Sequence, residues 1–140
     1  MLNQLLDTRA IADYKHAMLL VLRVGVGSLM LTHGIPKLIK LINGNFKFAD
    51  PIGLGVEVSL VLAVFAEVIC SIFIILGLGT RLAAIPLIVT MGVAVFIQHA
   101  ADPFSKQELG LLYLLIYMCL LIGGSRRFSL DHLLFDKQQQ

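Results

Sequence analysis

Two charged residues stand deep inside apolar runs of the sequence, Arg23 and Glu67. A charge at the centre of a membrane-spanning helix costs about 2.5–3.5 kcal/mol, and such residues usually face the bundle interior with a partner. Arg23 lies ten residues before His33, and Glu67 lies ten residues after Glu57. At 1.5 Å per residue, both would lie about 15 Å from the same membrane face. The spacing predicts an Arg23–Glu67 ion pair, which either lines a polar cavity or only fixes helix packing.

A second set of polar residues lies where the apolar runs meet this same face. It comprises His33, Lys37, Glu57, Gln98, His99 and Glu108. Together with the deeper pair, these residues predict a polar funnel that leads from one interface to the middle of the membrane, because perturbed ionisable groups concentrate at functional sites. The alternative is that each of them only ends a helix, where ionisable groups are favoured by the helix dipole. The pocket residues predicted on this basis are Arg23, His33, Lys37, Glu67, His99 and Glu108.

Catalytic and metal-binding signatures give no further assignment. The sequence has no H-E-x-x-H, G-x-S-x-G, P-loop or dinucleotide fingerprint, so we predict no metal site and assign no catalytic residue. Haem ligation by His33 and His99 and a disulfide between Cys70 and Cys119 are weaker alternatives that the spacing leaves open.

The composition indicates what must position these side chains. The chain has 140 residues, of which 58% are hydrophobic and 14% charged, with a mean hydropathy of +0.89. Soluble domains average about 45–50% apolar and about 25% charged residues. The excess indicates a chain that is solvated by lipid. A net charge of +2 gives no reason to expect a nucleic-acid partner.

Four apolar runs are close to the length of about 20 residues that spans a bilayer. They predict spans at about 17–33, 56–79, 82–98 and 108–124. A soluble bundle would need a polar stripe on each helix, and "LGLLYLLIYMCLLIGG" has none. The predicted fold class is therefore all-α: one domain over residues 1–140, an integral membrane bundle of four transmembrane helices with short interfacial helices.

The boundaries of these helices follow from glycine, proline and charge. Gly34 and Pro36 are expected to end the first span, and "PKLIKLI" to form a short helix lying in the interface. "MLNQLLDTRAIADYKH" and "FSLDHLLFD" are expected to form two further surface helices. "GLGTR", Gly77–Arg81, predicts a tight turn that makes the second and third spans antiparallel neighbours.

The distribution of Lys and Arg favours cytoplasmic termini. Six lie on the side of the termini, Arg9, Lys15, Arg81, Arg126, Arg127 and Lys137, against four on the other side, Lys37, Lys40, Lys47 and Lys106. Small residues also offer close-packing surfaces for a homodimer, namely Gly25, Gly27, Gly92 and Ala94.

Five segments in order resemble the DoxX family of small bacterial membrane proteins. They are "LRVGVGSLMLTHGIPKL", "FAEVICSIFIILGLGTRLAA", "MGVAVFIQHA", "KQELGLLYLLIYMCLLIGG" and "SLD", which together cover about residues 22–133. The resemblance implies a four-helix protein of the bacterial cytoplasmic (inner) membrane. It does not imply one settled activity, since some relatives are membrane subunits associated with thiosulfate:quinone oxidoreductase and others are linked to oxidative or thiol stress.

Two functional hypotheses follow. The first is a redox-associated subunit, the membrane part of an oxidoreductase complex, whose intramembrane pocket takes a quinone or a similar lipid-soluble ligand and which works with a redox partner subunit. The alternative is a non-enzymatic membrane scaffold or lipid-binding partner, in which Lys37 and Lys40 would contact anionic lipid. A transporter is less favoured, because no repeat or broken pair of helices is evident.

Overall fold

The computed structural model describes residues 11–124 and 129–135, which form five helices. We label them α1 (Ile11–Ile42), α2 (Val56–Leu76), α3 (Thr80–Gln98), α4 (Phe104–Gly123) and α5 (Leu130–Phe135). The first four are long and apolar enough to cross a membrane. The described part of the chain contains no strand. The predicted all-α fold with four membrane-spanning helices is confirmed, and the chain is a multi-pass membrane protein.

Helix α1 differs most from its predicted bounds. It continues through Gly34 and Pro36 and ends at Ile42, so the expected stop after His33 and the separate interfacial helix over "PKLIKLI" are wrong. A proline removes one backbone donor, and membrane helices tolerate this because neighbouring groups and local adjustments satisfy the freed carbonyl. The expected N-terminal surface helix lies partly outside the described residues, and its last part, from Ile11, belongs to α1. Of the expected surface helices, the one near the C-terminus is present as α5.

Two glycines bring α1 and α2 into close contact. A Cβ added at Gly27 would lie 2.5 Å from the Cγ1 of Ile75, and one added at Gly34 would lie 2.9 Å from the carbonyl oxygen of Glu67. Small residues allow this approach, which is a common way for membrane helices to associate. Gly34 is therefore a packing residue of α1 and does not end the helix.

The other small residues proposed for a homodimer are placed differently. A Cβ added at Gly25 or Gly92 would meet no atom within 4 Å, so these positions are open within the monomer. Gly27 packs against α2, and Ala94 lines the two cavities described below. The homodimer stays a prediction.

Helices α2 and α3 each contain a π-helical segment. In α2 it covers Phe65–Cys70, and in α3 it covers Ala94–Gln98. A π-helical turn adds a residue to the turn, shifts the faces of the residues that follow, and often occurs at functional sites. Both segments lie beside the same cavities, and Glu67 is carried by the first.

The turn between α2 and α3 is closed by glycine, as predicted. Gly77 and Gly79 have φ of +70° and +55°, which favours glycine. The N–H of Leu78 donates to the carbonyl of Phe73 (2.9 Å), and the N–H of Gly77 donates to that of Ile74 (3.1 Å). This is the hydrogen-bond pattern of a Schellman cap, and it reverses the chain within a few residues.

The buried core is apolar and lies between α1, α2, α3 and α4. Its larger cluster includes Met30, Ile74, Leu87, Tyr117 and Leu120. A smaller cluster of Leu60, Val64 and Val68 lies beneath the end of α1. The two clusters hold the helices that carry the polar residues described next.

Candidate functional site

The central feature of the site is an ion pair between Lys37 of α1 and Glu67 of α2. The Nζ of Lys37 donates to the Oε1 of Glu67, whose side chain is only 2% exposed, against 27% for Lys37. The ammonium also lies 5.6 Å from the centre of the Phe48 ring, within cation–π range. Because α1 continues past Pro36, Lys37 is held on an ordered helix that packs against α2.

The predicted Arg23–Glu67 pair is therefore wrong. Arg23 is 2% exposed and lies at the other end of the bundle, where its guanidinium occupies the space that a Cβ at Gly77 would need. Glu67 lies level with Gly34, eleven residues along α1 from Arg23, or about 16 Å. The prediction was wrong because it measured the depth of Arg23 from His33, which was taken as the end of α1, whereas α1 continues to Ile42.

Arg23 belongs to a separate cluster around the α2–α3 turn. It interacts electrostatically with Asp131, at the start of α5. The Oδ1 of Asp131 accepts from the N–H of Gly79 (2.8 Å), and the N–H of Asp131 donates to the carbonyl of Gly77 (3.2 Å). These contacts fasten α5 to the turn.

The larger of two cavities that the described residues form beside the ion pair has a volume of about 360 Å³. It lies between α2 and α3 and is covered by the α1–α2 loop. Its lining is mostly apolar: Phe48, Ala49, Pro51, Ile52, Leu62, Ala63, Val89, Val93 and Ala94, with Lys37, Ser59, Glu67, Thr90, Gln98 and His99 as the polar members. Leu62 and Val89 are also exposed on the outer surface of their helices, so the cavity borders the lipid-facing side of the bundle.

The polar hydroxyls of this cavity are already used within the chain. The Oγ of Ser59 donates to the Oδ1 of Asp50 (2.8 Å), and the Oγ1 of Thr90 donates to the carbonyl of Pro86 (2.8 Å). Asp50 also accepts from two backbone N–H groups that precede α2, and these hydrogen bonds keep the pKa of Asp50 below its ordinary value, with that from Ser59 the largest cause. The charged groups left to meet a ligand are Lys37 and Glu67.

The smaller cavity, about 180 Å³, lies on the other side of the ion pair and reaches α4. Four basic residues line it, together with Glu67 and Tyr113: His33, Lys37, His99 and Lys106. The ring of His33 meets that of Tyr113 edge to face, 5.9 Å between centroids, and Tyr113 in turn stacks on Tyr117 at 6.1 Å. Lys37, Glu67, Ala94 and His99 line both cavities, so the ion pair separates them.

His99 is fixed at the rim by the loop that leads to α4. Its Nδ1 lies 2.7 Å from the Oδ2 of Asp102, and the Nε2 of Gln107 donates to the carbonyls of His99 (2.8 Å) and Asp102 (3.1 Å). Lys106 lies 3.8 Å from the other carboxylate oxygen. The hydrogen bond with His99, followed by the charge of Lys106, keeps the pKa of Asp102 below its ordinary value.

Four of the six predicted pocket residues are thus brought together: His33, Lys37, Glu67 and His99. Arg23 lies in the other cluster, and Glu108 is exposed on α4, outside both cavities. Sequence reasoning missed Tyr113, Lys106 and Phe48. Tyr113 follows Leu109 by four residues in α4, so helical spacing would have placed both on the face that lines the smaller cavity. Nothing in the sequence indicates that Phe48 lines a cavity.

The described residues bring no three His, Cys, Asp or Glu side chains close enough to hold a metal ion. Cys70 is buried in α2 and Cys119 is exposed on α4, and both are free thiols.

Comparison with known proteins identifies the family. The sequence model of DoxX matches residues 18–100, which is more than half of the chain. The chain belongs to the DoxX family. The matched segment of this DoxX protein carries the Lys37–Glu67 pair, His33 and His99, whereas Tyr113 and Lys106 lie beyond it.

Two curated relatives cover most of this DoxX protein. An "Uncharacterized protein" of Haemophilus influenzae is 33% identical over 135 residues, which cover 89% of this chain and 96% of the relative. "Putative oxidoreductase CatD" of Bacillus subtilis is 31% identical over 117 residues, which cover 83% and 86% respectively. No solved structure matches the chain.

Proposed function

We propose that this DoxX protein is a redox-associated membrane subunit that binds a quinone, or a similar lipid-soluble ring compound, beside the Lys37–Glu67 pair. The observation that carries the proposal is an ion pair between half-buried Lys37 and buried Glu67 beside a mostly apolar cavity. Its volume of about 360 Å³ lies within the range of about 300–1,000 Å³ of small-molecule sites. An ionisable residue within the membrane is by default a functional-site hypothesis.

The chemistry of the cavity suits such a ligand. An ammonium has three donors, so Lys37 can donate to a ligand oxygen while it keeps Glu67. The apolar walls formed by Leu62, Val89 and Val93 would take the ring substituents and an alkyl tail. Access from the lipid-facing side suits a ligand that is dissolved in the bilayer.

The redox part of the proposal is supported by the name of one relative, "Putative oxidoreductase CatD". A quinone changes its redox state only when a second redox centre supplies or takes electrons, so the proposal includes a redox partner subunit. We further propose the bacterial cytoplasmic membrane as the location, with cytoplasmic termini, from the Lys and Arg distribution. In that orientation the ion pair lies nearer to the outer face.

The scaffold alternative receives less support. It assigned Lys37 and Lys40 to anionic lipid or to a partner protein. Lys37 instead points to Glu67 inside the bundle, which leaves Lys40 exposed on the same helix.

The test is binding of a short-chain quinone to the purified protein in lipid nanodiscs, measured by isothermal titration calorimetry. We expect Lys37→Met to weaken binding about tenfold or more, since a hydrogen bond to a charged group contributes about 1.5–3 kcal/mol. The matched control is Lys40→Met, which removes the same charge from an exposed position of α1 and should bind as the wild type does. Absence of binding, or equal binding by all three proteins, would contradict the proposal and favour the scaffold.

A further inference from the structure

One oxygen of the ion pair has no hydrogen-bond partner among the described residues. The Oε1 of Glu67 accepts from Lys37, whereas no group in the described part of the chain donates to the buried Oε2. A buried acceptor of a charged group that stays unpaired is costly, and native proteins rarely leave one without a reason. Because Glu67 lines both cavities, a ligand can supply the missing donor.

From this oxygen we infer that the site prefers the reduced, hydroxyl-bearing form of its ring ligand, a hydroquinone, over the quinone. The inference rests on the proposed function and names the ligand form that the site selects. A quinone carbonyl only accepts hydrogen bonds. A hydroquinone oxygen accepts a hydrogen bond from Lys37, and its hydroxyl also donates a hydrogen bond to Glu67.

The other carboxylates near the cavities are already engaged, which leaves Glu67 as the carboxylate that can accept from such a hydroxyl. Asp50, the acidic residue of the covering loop, already accepts from Ser59 and from the backbone before α2. Asp102, beyond α3, is engaged by His99 and Lys106.

The carboxylate can meet a ligand without a rearrangement of the helices. The terminal torsion of a glutamate side chain is soft and nearly two-fold, so rotation about it can turn Oε2 toward a ligand in the cavity. The π-helical segment that carries Glu67 is fixed between Gly34 of α1 and the apolar core, which keeps the Cα of Glu67 in place during this rotation.

The inference differs from a general preference for polar ligands. Lys37 serves the quinone and the hydroquinone equally, so its removal weakens both. Of the two members of the ion pair, only Glu67 separates the two forms, since a carboxylate accepts from a hydroxyl and repels a carbonyl oxygen. A ligand whose hydroxyls are methylated has the same ring and tail but loses the donor.

The test compares three ligands with a common decyl tail on the purified wild-type protein in nanodiscs under anaerobic conditions. They are a decyl hydroquinone, its dimethyl ether and the matching decyl quinone. We expect the hydroquinone to bind about tenfold or more tightly than either of the others, as a charged hydrogen bond predicts. The dimethyl ether is larger than the hydroquinone, so its weaker binding could come from size alone. The quinone also lacks the hydroxyl donors but is no larger than the hydroquinone, and it therefore controls for size.

A variant then assigns the preference to one residue. Glu67→Gln should abolish it, because the amide offers donors as well as an acceptor and serves a carbonyl equally well. Glu57→Gln is the matched control on the same helix; Glu57 is exposed, and this variant should keep the wild-type preference. The wild-type comparison alone decides the inference if Glu67→Gln does not fold.

The outcomes separate the inference from the proposed function. Equal affinities for hydroquinone and quinone, both weakened by Lys37→Met, would overturn the preference and leave the quinone pocket standing. A preference that persists in folded Glu67→Gln would overturn the role of Glu67. If no ring ligand binds in a manner that depends on Lys37, the proposed function fails and the inference fails with it.

Discussion

The close contact between α1 and α2 beside the ion pair makes Gly34→Ala the most informative packing mutation. An added Cβ would lie 2.8 Å from the Cγ2 of Val68 and 2.9 Å from both the carbonyl carbon and oxygen of Glu67. Two of these three atoms belong to the backbone and cannot rotate away. The helices must therefore separate by several tenths of an ångström at the level of the ion pair.

The expected cost follows from two opposing effects. Overpacking a tight contact costs about 1–3 kcal/mol. Alanine in place of glycine stabilises a helix by about 0.8–1.0 kcal/mol. Because the added Cβ clashes with backbone atoms, we expect the overpacking cost to exceed the helix-propensity gain. The free energy of unfolding of Gly34→Ala should therefore fall by about 1–2 kcal/mol. A Cβ added at Gly25 in the same helix meets no atom within 4 Å, so Gly25→Ala should only be stabilised by the higher helix propensity of alanine.

The assay is reversible unfolding in mixed micelles with increasing mole fraction of a denaturing detergent. Gly34→Ala should be about 2–3 kcal/mol less stable than Gly25→Ala, and it should weaken quinone binding because the pair is displaced. If the two variants unfold at the same detergent fraction, the α1–α2 contact described here is wrong, together with the continuous course of α1 through Gly34.

Two further predictions concern the ends of the bundle. Asp131→Asn should lower the free energy of unfolding in the same assay, because it removes the negative charge that interacts with buried Arg23. The variant keeps a side-chain oxygen that can accept from the N–H of Gly79. Unchanged stability would show that Asp131 acts only as a hydrogen-bond acceptor for this turn. Asp50, whose pKa is lowered in the folded state by Ser59 and backbone donors, contributes stability above its ordinary pKa of 3.8 that is lost as the pH falls through the folded pKa. Unfolding measured between pH 3 and 6 should therefore depend less on pH in Asp50→Asn than in the wild type, and identical slopes would contradict this.

The spans could be predicted from the sequence because bilayer thickness sets their length. Runs of apolar residues near 20 residues long gave four helices, and Gly77 and Gly79 marked a real turn. The end of α1 could not be predicted in the same way. Gly34 and Pro36 end helices in water, but within a membrane bundle the same residues serve close packing and are tolerated.

The structure brings together only part of the predicted set of residues, for a related reason. His33 and Lys37 lie on one face of α1, together with Met30 and Gly34, only because the helix continues past Pro36. The predicted helix end after His33 excluded this arrangement. The π-helical segments in α2 and α3 shift the faces of the residues after them, and no sequence pattern indicates such a segment. Arg23 and Glu67 were correctly expected to be buried, but their partners depended on the register between helices.

The central claim is that a lipid-soluble ring compound occupies the cavity between α2 and α3 beside Lys37 and Glu67. The most direct measurement is photolabelling of the protein in nanodiscs with an azido-quinone, followed by mass spectrometry of the labelled peptides. We predict that label competed away by unlabelled quinone falls on cavity-lining residues such as Phe48, Leu62 and Val89. Label that is not reduced by the competitor, or that spreads over the outward-facing residues of α4, would contradict the account.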